Sequence, residues 1–213
     1  ASPEGSLSGG GAAARLPAAG LMHIASLNVG AARALEIDGR SVASGIVKRA
    51  VEGEVAVKPL GLAGDEQADL SVHGGLAKAV YAYPAEHYPF WQTVRAQARA
   101  AGWGEPLPPG FLGENLTLEG LLEKDVCVGD VLRFAGCELA VSEPRFPCFK
   151  FNAVMGFAQA SKLMFANGWC GFYLSVRAPG TLRAGELFEV IHGPREVGIV
   201  ELFRSRAALR KQG

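Results

Sequence analysis

NLTLEGLLEKDVCVGDVLRFAGCELAV, at residues 115–141, contains four short apolar segments separated by glycine or acidic turns. These segments predict strands over residues 115–118, 125–128, 131–134 and 138–141. Short strands that recur about every 8–12 residues are typical of a small β-barrel or sandwich. The turn at residues 128–131 favours a hairpin between the second and third strands. This stretch therefore predicts a mainly β protein.

The segments on either side predict further strands and a few helices. Strand-like apolar runs begin at Met22 and occupy residues 55–58, 79–83, 171–176 and 187–191. Apolar residues at three- and four-residue steps predict a helix over residues 85–101 that is closed by Gly102, a helix that is capped by Asn152 and ends at Asn167 and Gly168, and a tail helix over residues 200–211. The chain is therefore expected to be α+β and mainly β.

Length and composition exclude several classes of protein. The chain has 213 residues, of which 49% are hydrophobic and 20% are charged, so wholesale disorder is excluded. Lys and Arg total 21, as do Asp and Glu, so no basic excess points to nucleic acid. No run of about 18 uncharged apolar residues is present, and no membrane span is expected.

The composition also predicts how the chain is divided. Residues 1–21 are rich in Gly, Ala and Ser and contain no apolar core of a signal peptide. They are expected to be a flexible N-terminal extension or a remnant of cloning. Residues 22–192 are expected to form one domain, and residues 193–213 a C-terminal tail with a short helix.

Four cysteines, at positions 127, 137, 148 and 170, indicate the compartment. None forms a CxxC pair, and four cysteines in a chain of this length do not make a disulfide framework. A reducing, cytoplasmic location is therefore expected. Cys127, Cys137 and Cys170 are interpreted as small buried hydrophobic residues.

The segment SEPRFPCFKF, at residues 142–151, is the most unusual in the chain. Pro144 and Pro147 lack an amide donor, so the segment is not expected to form a regular central strand. Each proline also holds the residue before it in an extended conformation. The segment therefore predicts a stiff loop that presents Cys148 just before a helix.

Cys148 is a candidate for chemistry because of its neighbours. Arg145 and Lys150 lie within three residues of it, and nearby cations favour the thiolate, which is the nucleophile and the metal ligand. The alternative is a buried cysteine that packs among the three neighbouring phenylalanines. The residues alone leave these two interpretations open.

Two glycine-containing segments are further candidates. GDEQADLSVHGG at residues 64–75, followed by Lys78, offers backbone amides and the side chains of His73 and Lys78 to an anion such as phosphate. The alternative is a turn in which His73 bonds only to local backbone. GFLGENLT at residues 110–117 places polar side chains beside a tight bend, and the alternative is an ordinary polar turn. A hard-metal pair of Asp65 and Asp69, and a Cys148–His73 hydrolase, are weaker hypotheses.

Three segments, in this order, carry a resemblance to a known family. They are HGGLAKAVYAYPAEHYPFW at residues 73–91, FLGENLTLEGLLEKDVCVGD at residues 111–130, and SEPRFPCFKFN at residues 142–152. HGG alone is a weak signal, but the ordered set of HGG, GENL and PRxPC is specific. The chain resembles the MOSC domain, named after the C-terminal part of molybdenum cofactor sulfurases, over roughly residues 22–192. Within that family it is most similar to the short stand-alone bacterial branch linked to resistance to hydroxylaminopurine.

The resemblance implies a MOSC-type β-barrel with peripheral helices and a bound molybdenum cofactor, a pterin dithiolene with a phosphate tail. Pyridoxal phosphate is not expected. In catalytic relatives the cysteine of PRxPC is a molybdenum ligand, and in this chain that residue is Cys148, whose soft thiolate suits a sulfur-rich coordination sphere. Asn115 is expected to hydrogen-bond the pterin ring. The residues expected to line the pterin and its phosphate are His73, Gly74, Gly75, Lys78, Arg145 and Lys150.

The same resemblance implies an oxidoreductase that reduces small N-hydroxylated compounds, such as hydroxylaminopurines or amidoximes, to the amine and water. Because no flavin or iron–sulfur motif is recognisable, the electrons are expected to come from a separate reductase. One alternative is a non-catalytic cofactor carrier or a sulfur-transfer module with a persulfide on Cys148. Another is a thiol-dependent enzyme without a metal. The natural substrate and the oligomeric state are left open.

Overall fold

The computed structural model of the protein describes residues 21–66 and 75–210. The strands in these residues are β1 (His23–Val29), β2 (Arg33–Ile37), β3 (Arg40–Ser44), β4 (Arg49–Ala50), β5 (Val55–Lys58), β6 (Gly61–Leu62), β7 (Val80–Pro84), β8 (Leu116–Glu119), β9 (Val131–Arg133), β10 (Glu138–Pro144), β11 (Phe172–Ala178), β12 (Gly180–Leu182) and β13 (Glu189–Ile191). The α-helices are α1 (Tyr88–Gln97), α2 (Phe149–Met155), α3 (Ala160–Asn167) and α4 (Ile199–Arg210). Single 3-10 turns form at Leu76–Lys78, Ala85–His87 and Glu123–Asp125.

Eight strands form one large sheet in the order β13-β9-β10-β11-β7-β8-β1-β4. The neighbours are antiparallel except β7 and β8, which are parallel. The sheet is curved so that its two ends approach each other. An isolated bridge joins His23 in β1 to Leu187, just before β13. Among the described residues, the paired strands do not form a closed barrel. The predicted mainly β class is confirmed.

Two smaller sheets lie outside the large one. One has the order β12-β5-β6, and the other is the hairpin of β2 and β3. Asp38 and Gly39 form the tip of the hairpin with φ angles of 50° and 73°, the positive values that a tight two-residue turn requires. The hairpin leads directly into residues 44–48, which matter for the site described below.

The core lies between the large sheet and the helices. Trp91 of α1 is completely buried, and its indole N–H donates to the Tyr83 hydroxyl at 2.6 Å. Ile199 and Phe203 of α4 are also completely buried, and Phe203 stacks on Phe146. The tail helix therefore packs on the same core as the sheet.

The predicted strand over residues 125–128 is wrong, and with it the hairpin at residues 128–131. The Asp130 carboxylate accepts the Cys127 amide at 2.9 Å, and the Asp130 amide donates back to the Cys127 carbonyl at 3.1 Å. These two bonds close a turn. Cys127 keeps only an isolated bridge to Gly198.

Two predicted helices have different ends. The first ends at Gln97 rather than at Gly102, because Arg99 takes up a left-handed conformation with φ 59°. The second is two helices, α2 and α3, since Gly156 ends α2 with φ 79°. Asn152 lies inside α2 instead of capping it, and its side-chain oxygen accepts the Ser161 amide at 2.8 Å.

The prediction that residues 142–151 could not enter a regular central strand holds only in part, because β10 continues to Pro144. β9 pairs only with residues 138–140 of β10, so the last part of the strand has β11 alone as a neighbour. The register also shifts between Val141 and Glu143. A proline is tolerated there because no amide donor is needed on the open side.

Candidate functional site

An open pocket lies where the loop of residues 44–48, strands β7 and β11, and the start of α2 meet. It brings together segments that are far apart in the sequence. Five of the predicted site residues line it, namely Lys78, Asn115, Arg145, Cys148 and Lys150. The resemblance therefore selected residues that converge on one cavity.

Cys148 occupies the N-cap position of α2 with an extended backbone, φ −119° and ψ 177°. The Phe151 amide donates to the Cys148 carbonyl at 2.9 Å, which fixes the first turn of the helix. The Cys148 side chain is half-buried and lines the pocket, whereas the other three cysteines are buried, as predicted. The stiff loop thus presents a single thiol to the cavity.

Arg145 is a buried cation in the lining of the same pocket. Its side chain is only 6% exposed, and its guanidinium lies over the rings of Tyr81 and Phe151, at 5.3 Å and 4.8 Å from their centroids. No ion pair with a carboxylate is formed among the described residues, and Nη1 is buried without a hydrogen-bond partner there. A buried donor in this state costs free energy unless a bound group satisfies it.

The electrostatics keep Arg145 charged. Burial alone would lower the pKa of its guanidinium, but Tyr81, Tyr173 and Cys148, which are negatively charged once deprotonated, act in the opposite direction. The resulting pKa lies above the ordinary value for arginine. Burial in turn raises the pKa values of Tyr81 and Tyr173, so both phenols stay protonated at neutral pH.

Lys48 and Asp65 form a second charged group in the pocket lining, and the sequence did not point to Lys48. The Lys48 ammonium donates to the Asp65 carboxylate in a short hydrogen bond, and both side chains are 7% exposed. The same carboxylate accepts the Gly30 amide at 2.9 Å and the Asn115 side-chain amide at 2.9 Å. Asp65 is therefore held by three donors from different segments.

Asn115 is fixed by the protein on both sides of its amide group. Its oxygen accepts the Tyr81 backbone amide at 3.0 Å, and its nitrogen donates to the Asn28 carbonyl at 3.2 Å and to Asp65. These bonds hold the start of β8 against β7 and the loop of Asp65. A direct hydrogen bond from Asn115 to a pterin stays a prediction.

The remaining predicted residues are partly described. Lys78 ends the Leu76–Lys78 turn and lies 3.8 Å from the Glu143 carboxylate. Gly75 precedes this turn with φ 90°, and its carbonyl accepts the Lys78 amide at 3.1 Å. Lys150 donates to the Ala43 carbonyl at 2.7 Å, which ties α2 to the β2–β3 hairpin. His73 and Gly74 lie outside the described residues, as does Asp69 of the carboxylate pair.

Three glycines allow the loop of residues 44–48 to lie close to the rest of the site. A Cβ atom at Gly113 would lie 2.8 Å from the Ile46 side chain, and one at Gly30 would lie 2.3 Å from the Val47 carbonyl. A Cβ atom at Gly110 would lie 3.0 Å from the Lys48 carbonyl. The close approach of these backbones places Lys48 in the pocket.

Glu114, beside Asn115, has a structural role in the part of the chain that the structure describes. It is completely buried, and its Oε1 atom accepts bonds from the Tyr88 hydroxyl, the Gly110 amide and the Thr117 hydroxyl. Burial raises the pKa of its carboxyl group, and these three hydrogen bonds offset part of the rise. The interactions join α1, the loop at Gly110 and β8.

The pocket suits an anion that carries its own metal ligands. Its lining has four cationic side chains, Lys48, Lys78, Arg145 and Lys150, against the carboxylates Asp65 and Glu66. Within residues 21–66 and 75–210, no three His, Cys, Asp or Glu side chains are grouped to hold a metal ion. The cationic lining, the Arg145 nitrogen that has no partner among the described residues and the Cys148 thiol fit a phosphorylated, sulfur-rich cofactor.

Comparison with known proteins identifies relatives of this chain. The sequence model of the MOSC domain matches residues 69–189. The uncharacterized protein YflK of Bacillus subtilis is 39% identical over 183 residues, which cover 86% of this chain and 79% of the relative. The crystal structure of YiiM from Geobacillus stearothermophilus has a TM-score of 0.68 and 32% identity, and the match covers 90% of this chain and 89% of that one.

A third relative is a larger protein. A Gibberella moniliformis protein named "Reductase" is 34% identical over 159 residues, which cover 73% of this chain but 27% of the relative.

No helix within the described parts of this chain is long and apolar enough to cross a membrane. The matched family model, the relatives and the shared fold together show that the chain belongs to the MOSC domain family.

Proposed function

We propose that the protein binds the molybdenum cofactor in this pocket and reduces N-hydroxylated compounds to the amine and water. The observation that carries the proposal is that the buried Arg145, whose Nη1 atom has no hydrogen-bond partner among the described residues, lines the same pocket as Cys148. A buried, charged donor that lacks a partner costs free energy. A bound anion removes that cost and gains a charge-assisted hydrogen bond. The fungal relative that is named a reductase supports the class of reaction.

Each residue of the pocket would have its own role in cofactor binding. Cys148 would supply a soft sulfur ligand to molybdenum, and Arg145 would bond the anionic part of the cofactor through Nη1. Lys78 and Lys150, at the pocket lining, would balance the charge of the phosphate. When bound, the cofactor supplies the two-electron redox chemistry, while the protein supplies position and electrostatics.

The reaction must balance in protons as well as electrons. An N-hydroxylated compound takes up two electrons and two protons to give the amine and one water. The Lys48 ammonium and the protonated phenol of Tyr173 are proton-carrying groups in the pocket lining. The electrons would come from a separate reductase, and the proposed site of action is the cytoplasm.

The direct test is turnover with a small artificial donor. Protein from a host that synthesises the cofactor is mixed with reduced methyl viologen and 6-hydroxylaminopurine or benzamidoxime, and the amine is quantified by chromatography. We expect turnover by this protein and none by the same chain from a host that lacks cofactor synthesis.

Cysteine variants test whether turnover depends on Cys148. Cys148→Ala is expected to lose turnover, whereas Cys127→Ala, a buried cysteine outside the pocket, is expected to keep it. Full activity of Cys148→Ala would contradict the proposal. Stable cofactor binding without turnover would indicate the carrier function instead, and turnover without molybdenum would indicate a thiol-dependent enzyme.

A further inference from the structure

Aromatic rings, rather than a carboxylate, lie against the buried guanidinium of Arg145. Its central carbon is 4.8 Å from the centroid of the Phe151 ring and 5.3 Å from that of the Tyr81 ring. Arg145 forms no ion pair among the described residues. A buried charge is ordinarily paired with an opposite charge, because an unpaired one costs free energy. We call Phe151 and Tyr81 the aromatic clamp of Arg145.

The acidic side chains in and beside the pocket lining have other partners. These side chains are Asp65, Glu66 and Glu143. Their partners, in the same order, are Lys48, the backbone amide of Ala32, and Lys78 together with Arg206. Even Glu143, two residues before Arg145 in β10, has its carboxylate 3.8 Å from Lys78 and 3.3 Å from Arg206. The clamp therefore occupies the place that a carboxylate usually takes beside a buried arginine.

The core fixes both rings of the clamp from the other side. Phe151 is completely buried in α2, and Trp91 packs on it at a centroid distance of 5.6 Å with the ring planes at 87°. Tyr81 is buried in β7, and its hydroxyl donates to the Cys170 carbonyl at 2.8 Å. Both rings therefore have contacts apart from Arg145 that hold them in position.

The nature of the clamp determines which groups of Arg145 stay available. A carboxylate neutralises a guanidinium and takes up its N–H groups, often two at once. A ring face attracts the positive charge and requires none of those N–H groups. In agreement, the Nη1 atom has no hydrogen-bond partner among the described residues. The clamp thus holds the cation and leaves its charge and a donor for a ligand in the pocket that Arg145 lines.

We propose that Phe151 and Tyr81 are positioning residues whose ring faces hold the Arg145 guanidinium ready to bind an oxyanion in the pocket. Preorganisation of this kind lowers the cost of ordering a long side chain when the ligand binds. A cation–π contact corresponds to about 2- to 30-fold in an equilibrium constant. The inference rests on the proposed function only for the identity of the oxyanion, the phosphate of the molybdenum cofactor.

The first test changes the charge distribution of one ring and leaves its shape almost unchanged. Monofluoro-, trifluoro- and pentafluorophenylalanine replace Phe151 through a reassigned stop codon, since fluorine withdraws electron density from the ring face. Inorganic pyrophosphate is titrated by calorimetry into cofactor-free protein from a cofactor-deficient host. We expect the affinity to fall at each step of the series, and at least fivefold with the pentafluoro ring.

Phe134 provides the matched control. It is buried and packs on Phe188 at a centroid distance of 5.2 Å, and no cation lies over its ring among the described residues. Pentafluorophenylalanine at this position is expected to leave pyrophosphate affinity unchanged. Thermal unfolding shows which proteins are folded, and if the pentafluoro ring at position 151 prevents folding, the two milder rings still give the trend.

The second test separates the ring of Tyr81 from its hydroxyl group. Tyr81→Phe keeps the ring and loses the hydrogen bond to Cys170, whereas Tyr81→Leu loses both. We expect Tyr81→Phe to bind pyrophosphate within twofold of wild type, and Tyr81→Leu to bind it at least fivefold more weakly. A role of the hydroxyl alone would weaken both variants alike.

Pterin content of the same variants from a cofactor-competent host tests the identity of the oxyanion. If wild type contains no pterin while the pyrophosphate series behaves as expected, the proposed function fails and the aromatic clamp stands. Three results would overturn the clamp. They are no pyrophosphate binding by wild type, equal or tighter binding across the fluorinated series at position 151, and an equal loss of affinity at positions 151 and 134.

Discussion

At the scale of single residues, Arg145 is a fully protonated side chain that is almost completely buried. It receives no carboxylate among the described residues, so its Nη1 atom is the group that gains most from a bound anion. A hydrogen bond to a charged group contributes about 1.5–3 kcal/mol, which corresponds to about 10- to 150-fold in affinity. We therefore expect Arg145→Gln to retain at least tenfold less pterin per chain after purification. Pterin fluorescence after acid oxidation measures this, and a wild-type pterin content in the variant would contradict it.

The four cysteines should differ in reactivity. Burial raises the pKa of Cys137 to about 12 and that of Cys170 well above its ordinary value, whereas Cys148 is half-buried beside Arg145. Because the thiolate is the reactive form, iodoacetamide at pH 7.5 is expected to modify Cys148 first in cofactor-free protein. Peptide mass spectrometry over time measures the order, and urea-unfolded protein is the control in which all four react. Equal labelling of Cys137 or Cys170 in the native protein would contradict the expectation.

Glu114 should make stability depend on pH. Its pKa in the folded state is raised by burial, so the folded state binds the proton more tightly than the unfolded state. Stability is therefore lost as the pH rises from the unfolded pKa, about 4.3, through the higher folded pKa. We expect Glu114→Gln to remove this loss, so that the variant's stability relative to wild type is greater at pH 8 than at pH 4. Urea unfolding at the two pH values measures the difference, and an equal difference at both would contradict the account.

At the scale of elements, the loop of residues 44–48 depends on glycines that belong to other segments. Gly113 has φ 93° and lies against Ile46, whereas Gly39 at the hairpin tip has φ 73° and a Cβ atom there would have nothing within 4 Å. Alanine at either position carries backbone strain of about 1–3 kcal/mol, but only Gly113→Ala also pushes on the pocket loop.

This contrast gives a matched pair of variants. Gly113→Ala is expected to be less stable than Gly39→Ala and to bind less cofactor, while Gly39→Ala is expected to keep wild-type cofactor content. Thermal unfolding and molybdenum analysis measure the two effects. Equal cofactor content in both variants would show that the loop does not position the site.

At the scale of the whole molecule, local patterns in the sequence predicted the class of fold, and the motifs that carry the family resemblance predicted residues that line one pocket. Alternating apolar residues identified β5, because alternation follows from one buried face of a strand, and short apolar segments between turns identified β9 and the start of β10. The strand predicted at residues 125–128 failed, because the Asp130 side chain closes a turn there. The β2–β3 hairpin was not predicted, since its mostly exposed strands carry a weak pattern.

In the site, too, residues within contiguous motifs were predictable, whereas residues that only tertiary contacts bring together were not. The motifs around Cys148 and Lys78 were visible because each is contiguous in the sequence. Lys48 and Tyr173 were missed, because only tertiary contacts bring them to the pocket. The pairing of Asp65 with Lys48 and Asn115 could not be read from spacing, since these residues come from three separate segments.

Cofactor binding by this pocket is the central claim, and metal analysis tests it most directly. Molybdenum per chain is measured by mass spectrometry for wild type and Cys148→Ala from a cofactor-competent host, and for wild type from a cofactor-deficient host. The account predicts near-stoichiometric molybdenum only in the first sample. Absence of molybdenum from all three, even after reconstitution with free cofactor, would contradict it and would leave Cys148 as a persulfide carrier or a metal-free thiol.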